Sequence, residues 1–586
     1  MTKESSDVLV IAIDYGTTYT GVAYGHSTGL RNRARPNIQC IDDWPGQPGN
    51  ASNQKVPSEV AYSNGFEWGN KIQQKSHRVA WTKLLLDETQ KEKREMLMRD
   101  LELERSHTLS EKSHNDLIKE PVDIISDFLG GVRKHVETAL EIRFGSILRN
   151  LRREVVITVP AVWSDKAKNQ TYKAVCNAGF NTEKISMITE PEAAAIYALR
   201  ELEDGPFNNI KSGDHFVVCD AGGGTVDIIT YRVDSVEPAF VIKEAVVGTG
   251  DQCGAIFIDR AFRSWLRRKL GPEKFGMIRG EWLRPGSRMM KDFEEVKRSF
   301  EGDSIMAGVA MPPEIGRDDD ETLDIIDGEM RLDSDDLRQI FDPSVNRVLT
   351  LIDSQVEAVS AQNAVIKYIL VAGGFGKSMY LLQRIKERYL SKKIEVIRPS
   401  NPWSAVVRGA VMEKLDPAGN SLVQLRMCRR HYGASLSQPF DASKHAGLSD
   451  KSIFLEERTG IRFVKGCMKW LLSKGDSLQS SKPVTTEFKI SQALISGLKK
   501  TFDVKILAWD ANDPPTRETE GLEQVCVLKI NLTELPPEAP PSPSKTIEES
   551  MRALTCKVEI KIEGSMLEFR VLVAEKECCK VLARDA

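Results

Sequence analysis

An excess of charge of one sign is the first thing missing from this chain. Its 81 Lys and Arg against 84 Asp and Glu leave a net charge of −3 over 586 residues, so no basic footprint for nucleic acid is expected. No apolar run approaches the roughly 20 residues that a membrane-spanning helix needs. The opening MTKESSDVLVIAIDYG has a single Lys, acidic residues ahead of its apolar run and no small-residue cleavage pattern, which argues against a secretory leader. Cysteine is sparse. The ten are mostly single and set in apolar stretches (Cys219, Cys526, Cys556), with one adjacent pair, Cys578 and Cys579. That is the pattern of reduced thiols, and it predicts a cytoplasmic protein, with a nuclear one left open. The sequons at Asn50, Asn169 and Asn531 then read as chance matches. The eight histidines are scattered, and neither a metal-binding Cys/His spacing nor a Ser/His/Asp constellation stands out.

What is present is a long, ordinary globular composition, 41% hydrophobic and 28% charged, enough for roughly three or four folded units. Two glycine-rich turns follow apolar strands at a long interval: IAIDYGTTYTG from Ile11 and VVCDAGGGTVDI from Val217. Each runs from apolar residues to Asp, through a Gly/Thr turn, and on into residues that continue as a strand. Together they predict a duplicated α/β domain with two similar lobes. Between them, Thr82 to Asn115 lacks Gly and Pro and is rich in Lys, Glu, Leu and Met, so it reads as helical. REVVITVPAVWSDKAKNQTYKAVCNAGF reads as a buried strand, a proline turn, a Ser164 or Asp165 cap, and a helix ended by Gly179. GRDDDETLDIIDGEM reads as an acidic surface loop.

After about Ser421 alternating strands take over. KVEIKIEGSMLEFRVLV predicts two strands joined at Glu563-Gly564-Ser565. LPPEAPPSPSK, the Pro-rich loop at 535–545, cannot sit in a sheet centre and reads as a mobile loop or an adaptor-binding polyproline segment.

A strand that ends in Asp and turns through Gly and Thr surrounds a cavity with backbone N–H groups and hydroxyls, an anion nest. Its carboxylate would repel a phosphate there, and a divalent cation resolves the conflict. Asp14 and Asp220, one from each lobe, would hold Mg²⁺ through its waters. Gly16, Thr17, Thr18 and Tyr19, with Gly222, Gly223, Gly224 and Thr225, would bind phosphate oxygens. Either turn alone reads equally well as an ordinary hairpin or strand-to-helix turn.

DYGTTYTGVAYG, VVITVPAVWSD, TEPEAAAIYAL, DAGGGTVDI and ILVAGGFGKS stand in the order found in the 70-kilodalton heat-shock protein (Hsp70, DnaK-like) family, a branch of the actin-like ATPases. The resemblance spans roughly residues 8 to 415 and is nearest the atypical branch named heat shock protein family A member 12. It implies ATP or ADP with Mg²⁺ as cofactors. By motif, Asp14 and Asp220 would organise the ion, with Asp227 supporting its water shell. Glu190 would position the attacking water, and Lys83 in AWTKLLLD would contact the γ-phosphate.

For the base, Glu294, Lys297 and Arg298 in FEEVKRSF share one helical face. Read unaided this is a charged surface helix; the resemblance makes it the adenosine-holding one. Gly373 and Gly374 would form the second wall, with Lys377 where the family usually has Arg. GGFGKS is not a P-loop, because Val371 stands where the first Walker glycine belongs. Cys253, in GTGDQCGAIFIDR, replaces a family glycine and reads as a small packing residue before a redox handle.

The expected architecture is therefore α/β: a two-lobed actin-like (duplicated ribonuclease H-like) ATPase domain over 1–420, followed by a reduced β-sandwich-like domain over 421–586 without a helical lid. Lobe I covers about 8–210 and lobe II about 211–400, with a return to lobe I. The family's acidic, leucine-rich linker is replaced by SLVQLRMCRRHYGASL, made basic by Arg426, Arg429 and Arg430, and the end ECCKVLARDA lacks the acidic tetrapeptide that recruits repeat-type co-chaperones. The resemblance implies a weakly ATP-hydrolysing, chaperone-like switch whose β-domain meets client polypeptides or co-chaperones. Two other readings are a nucleotide-sensing scaffold with little hydrolysis and a small-molecule kinase of the same superfamily.

Overall fold

Val8–Tyr15 and Tyr19–His26 form an antiparallel hairpin with Asp14 opposite Gly21. His215–Ala221 and Val226–Ser235 form a second, with Asp220 opposite Asp227. The computed structural model describes residues 7–27, 37–47, 52–73, 76–88, 119–180, 184–203, 210–237, 240–303, 306–415, 422–445, 447–448, 450–456, 460–479, 482–491, 501–531, 553–573 and 575–583. The chain divides into two units, Met1–Leu422 and Val423–Ala586.

In the first unit the two hairpins are extended alike. The first strand of each also runs parallel to a later one, Arg152–Val159 in one sheet and Ile366–Ala372 in the other. Those in turn pair in parallel with Lys184–Thr189 and Glu395–Ile397. The strands are near-continuous apolar runs because both faces are covered: Leu9, Val10, Ala12 and Ile13, like Val217, Val218 and Cys219, have no exposed surface.

Helices link the halves. Asp165–Asn177 starts at Ser164, whose Oγ accepts the Ala167 N–H, and ends before Gly179 at φ 82°, as its sequence predicts. Glu190–Glu203 follows the first sheet yet also packs on the second, while Ala405–Leu415 follows the second sheet and packs back on the first. These two helices cross so closely that a Cβ on Gly409 would stand 1.8 Å from Ala193 O.

The expected helix over Thr82–Asn115 is corrected in its described part. Thr82–Leu86 is a short 3₁₀ turn entered from Trp81 at φ 61°, because Leu84, Leu85, Leu86 and Lys83 all turn inward, which no one-faced helix allows. Residues 89–115 lie outside the described residues. The acidic stretch is largely exposed, as expected, but it also supplies the paired strands Ile325–Ile326 and Glu329–Leu332.

In the second unit, Ile453–Glu456, Ile461–Leu472, His431–Pro439, Thr501–Trp509 and Glu523–Asn531 form one sheet, and Val484–Ser491, Ala553–Glu563, Met566–Val573 and Lys576–Leu582 another. Gly564, at φ 62°, makes the predicted turn. The Pro-rich loop at 535–545 lies outside the described residues. The basic join is not a free basic segment. Arg426 and Arg430 are buried, and Arg430 is paired with Asp510 at 2.6 Å and Glu523 at 2.8 Å, so its charge serves the β unit internally.

Candidate functional site

The two glycine-rich turns meet. A Cβ on Gly223 would stand 2.2 Å from Thr18 Oγ1, and one on Gly224 would stand 2.3 Å from Thr17 Oγ1. Each turn is itself tight. A Cβ on Gly16 would meet Tyr19 O at 2.3 Å, and Gly222 N–H donates to Thr225 O at 2.9 Å. Carbonyls of Gly222, Gly223 and Gly224 accept from the N–H groups of Ala255, Ile256 and Gly254, which anchors the second turn to the start of the helix Ile256–Met277.

Around this junction the strand ends bring four buried carboxylates together: Asp14, Glu190, Asp220 and Asp227. Asp14 Oδ2 accepts from Lys55 Nζ at 2.6 Å and its Oδ1 from Thr158 Oγ1 at 3.0 Å. Glu190 Oε1 accepts from Lys83 Nζ at 2.5 Å, and that ammonium lies 5.6 Å from the centre of the Trp163 ring. Asp227 Oδ1 accepts the Val162 N–H at 3.2 Å. Gly373, at φ +85°, is pressed against Asp220: a Cβ there would stand 2.5 Å from Asp220 Oδ1.

The carboxylates feel one another. Burial, followed by the charges of Glu190, Asp14 and Asp227, holds the Asp220 carboxyl well above the usual range, with Lys55 pulling it back. Burial pushes Glu190 up to about 7, reinforced by Asp14 and Asp227 and opposed by Lys83. Asp14 is also raised by burial, but Lys55, then Lys83 and the bond from Thr158, outweigh it and hold its carboxyl low.

Four carboxylates thus face two ammoniums, Lys55 and Lys83. Buried charge left uncompensated is costly, and either protons on the raised Asp220 and Glu190 carboxyls or a divalent cation can close the balance. Among the described residues no group of three or more His, Cys, Asp or Glu side chains could hold a metal directly. Asp14, Asp220 and Asp227 are the carboxylates that could hold a hydrated divalent cation through its waters.

One stability prediction follows. In the metal- and nucleotide-free protein Glu190 binds its proton more tightly folded than unfolded. Its contribution is therefore fully present at acid pH and is lost as pH rises from about 4.5 through about 7. The melting temperature of wild type relative to Glu190→Gln is expected to fall across that window by a few degrees, as differential scanning fluorimetry at stepped pH would read. A difference independent of pH would contradict the raised Glu190.

The residues expected to hold the base also lie near this junction. Glu294 pairs with Lys297 at 2.5 Å and with Arg298 at 2.8 Å. Both Glu294 and Arg298 act electrostatically on Tyr19 of the first turn. Lys297 is half-buried and is also bound to Asp259 at 2.7 Å. Lys377 stands 4.9 Å over the Trp403 ring, and Tyr19 meets the same ring edge-on at 5.7 Å. Gly374 lies beside it, a Cβ there being 3.7 Å from Trp403 Nε1.

Three residues of the site went unread in the sequence: Lys55, Thr158 and Trp403. The only signal for Lys55 was indirect, namely that Gly21, across the hairpin from Asp14, has no side chain to block a neighbour. Cys253 is buried, in keeping with a packing role.

The family model described as Hsp70 protein matches residues 70–416, more than half of the chain. The chain belongs to the Hsp70 family. Heat shock 70 kDa protein 12A of Mus musculus is 22% identical over 527 residues, covering 76% of this chain and 74% of its own. Heat shock 70 kDa protein 12B of Homo sapiens is 21% identical over 522 residues, 76% and 73%. The chaperone protein HscA homolog of Rickettsia peacockii (strain Rustic) is 24% identical over 469 residues, 78% and 66%. The atypical branch noticed in the motifs is thus among the relatives of this Hsp70-family chain. Membership supports an actin-like ATPase fold and an ATP-binding, chaperone-related function. Among the described residues no helix is long and apolar enough to cross a membrane.

Proposed function

We propose that this Hsp70-family chain binds Mg-ATP between its two lobes and hydrolyses it slowly, as a switch acting on client polypeptides or co-chaperones through the β unit. The observation that carries the reading is the meeting of two like turns over one buried set of carboxylates and lysines. Thr17, Thr18 and Thr225 offer hydroxyls, and the glycines between them offer backbone donors, to a polyphosphate. Bound magnesium would neutralise developing charge on the phosphates. Lys83 would face the terminal phosphate, and Glu190, held by Lys83, would orient the attacking water. Arg298 and Glu294 on one side, with Lys377, Trp403 and the backbone at Gly373 and Gly374 on the other, would hold the adenosine. Closure by hinge motion of the lobes would transmit the nucleotide state.

One feature favours a second reading, nucleotide binding without useful turnover: burial and the neighbouring Asp14 and Asp227 raise the Glu190 carboxyl, which disfavours the ionised form that accepts from water. Phosphate release separates the two. Wild type is expected to turn over slowly, with Asp14→Asn and Glu190→Gln each at least about tenfold slower. Equal rates in all three would remove the catalytic assignments. Binding without phosphate release selects the scaffold, and ADP formation only with a small-molecule acceptor selects a kinase.

A further inference from the structure

Asp14, Gly21 and Lys55 form one row across three neighbouring strands. Asp14 is opposite Gly21 in the first hairpin, and Gly21 is opposite Lys55 of Lys55–Pro57. Residues in register share a face of the sheet. Because Gly21 has no side chain, the stem of Lys55 lies over it, with Cγ and Cε each 3.2 Å from where a Cβ would be. The ammonium so carried reaches Asp14 Oδ2 at 2.6 Å. Lys55 is buried, and its charge is also felt by Asp220 and Lys377 of the second lobe. It thus stands on the carboxylate that the proposed reading gives to the hydrated ion, inside the junction of the two lobes.

We propose that Lys55 is a resident counter-cation of the phosphate site. It holds Asp14 while the site is empty and turns its ammonium to polyphosphate oxygens when a hydrated divalent cation takes Asp14 over. This rests on the Mg-nucleotide reading above. A lysine suits the exchange: its charge is compact, its four-carbon stem flexible, and its three donors can leave a carboxylate for phosphate without losing hydrogen bonds. The charge balance at the junction is then met in two ways, by lysine alone or by lysine and metal together. The consequence is that nucleotide binding depends less on divalent cation than in a site whose carboxylate has no such partner.

Calorimetric titration of ATP into the full chain, once in Mg²⁺ and once in EDTA, gives for each variant the ratio of its two dissociation constants. Wild type is expected to keep measurable metal-free binding. Lys55→Met is expected to raise the ratio at least about tenfold, by losing metal-free affinity and freeing Asp14 for the ion, and Lys55→Arg to restore an intermediate value. A ratio unchanged in Lys55→Met, even with both affinities lowered, would reduce Lys55 to a structural partner of Asp14 and overturn the proposal alone. Wild type that binds no ATP in Mg²⁺ would overturn the nucleotide reading and this proposal with it. If Lys55→Met does not fold, Lys55→Gln, which keeps a polar donor on the side chain but carries no charge, is read by the same ratio.

Discussion

Gly224→Val is expected to lower ATP affinity by at least about a hundredfold while leaving the chain folded, the equivalent of about 2.7 kcal/mol of binding. The reason is where the first side-chain atom would go. A Cβ on Gly224 would stand 2.3 Å from Thr17 Oγ1 and 2.8 Å from Thr17 Cβ. Rotation of the hydroxyl relieves the first contact, but the second is with an atom next to the backbone and has no such escape. The two turns must then separate. Each sheet buries its own core independently of that contact, Val217 and Cys219 in one and Leu9 and Val10 in the other, so the lobes themselves survive. Calorimetry with Mg-ATP reads the affinity and circular dichroism reads the fold. Gly65→Val makes a useful control, because no atom lies within 4 Å of its Cβ position, although its φ of +91° adds local strain. Near-wild-type affinity in Gly224→Val would mean that the turns do not need to meet for nucleotide to bind.

Lys83→Met is the second large effect, and it acts on both stability and turnover. The Lys83–Glu190 pair is buried on both sides, with side-chain exposures of 3% and 8%. Removing one partner of such a pair leaves a buried charge without compensation and costs roughly 3–5 kcal/mol. Part of that cost is avoided if Glu190 takes up a proton, as its already raised carboxyl is disposed to do. The double variant Lys83→Met/Glu190→Gln removes both charges and is expected to recover most of the lost stability in chemical denaturation. Turnover should behave otherwise. Both variants are expected to lose roughly 10²–10³-fold in phosphate release, because the pair's role at the terminal phosphate does not return with the fold. Recovery of turnover together with stability would make the pair purely structural.

Much of this site was legible because its chemistry is backbone-like. DYGTT and DAGGGT announce themselves by glycine and hydroxyl side chains directly after apolar strands, and their tight turns need those residue types wherever they occur. Repetition of the device carried the two-lobed organisation, and the two hairpins do place Asp14 and Asp220 at equivalent strand ends. Lys55 and Trp403 were not legible for the opposite reason. Their roles come from distant partners: Lys55 reaches Asp14 across 41 positions in the chain, and Trp403 meets Tyr19, which comes from the other end of the unit. The partner of Lys297 was not legible either, since a shared helical face says which residues are neighbours but not that Asp259 pairs with one of them. The stretch at Thr82 failed as a helix because composition reports propensity alone. There, inward-facing Lys83 and its flanking leucines follow the demands of Glu190 and the core. The partners of the basic join were hidden in the same way, since Arg430 is balanced by Asp510 and Glu523, 80 and 93 positions away in sequence.

The central claim is that one nucleotide, with its magnesium, is held between the lobes by Asp14, Asp220 and the two turns. Calorimetric titration of Mg-ATP into wild type beside Asp220→Asn tests it most directly. Single-site binding in wild type, weakened at least about tenfold in Asp220→Asn with magnesium present and much less so in EDTA, is the predicted result. No binding in wild type, or equal binding by both proteins in Mg²⁺, would contradict it.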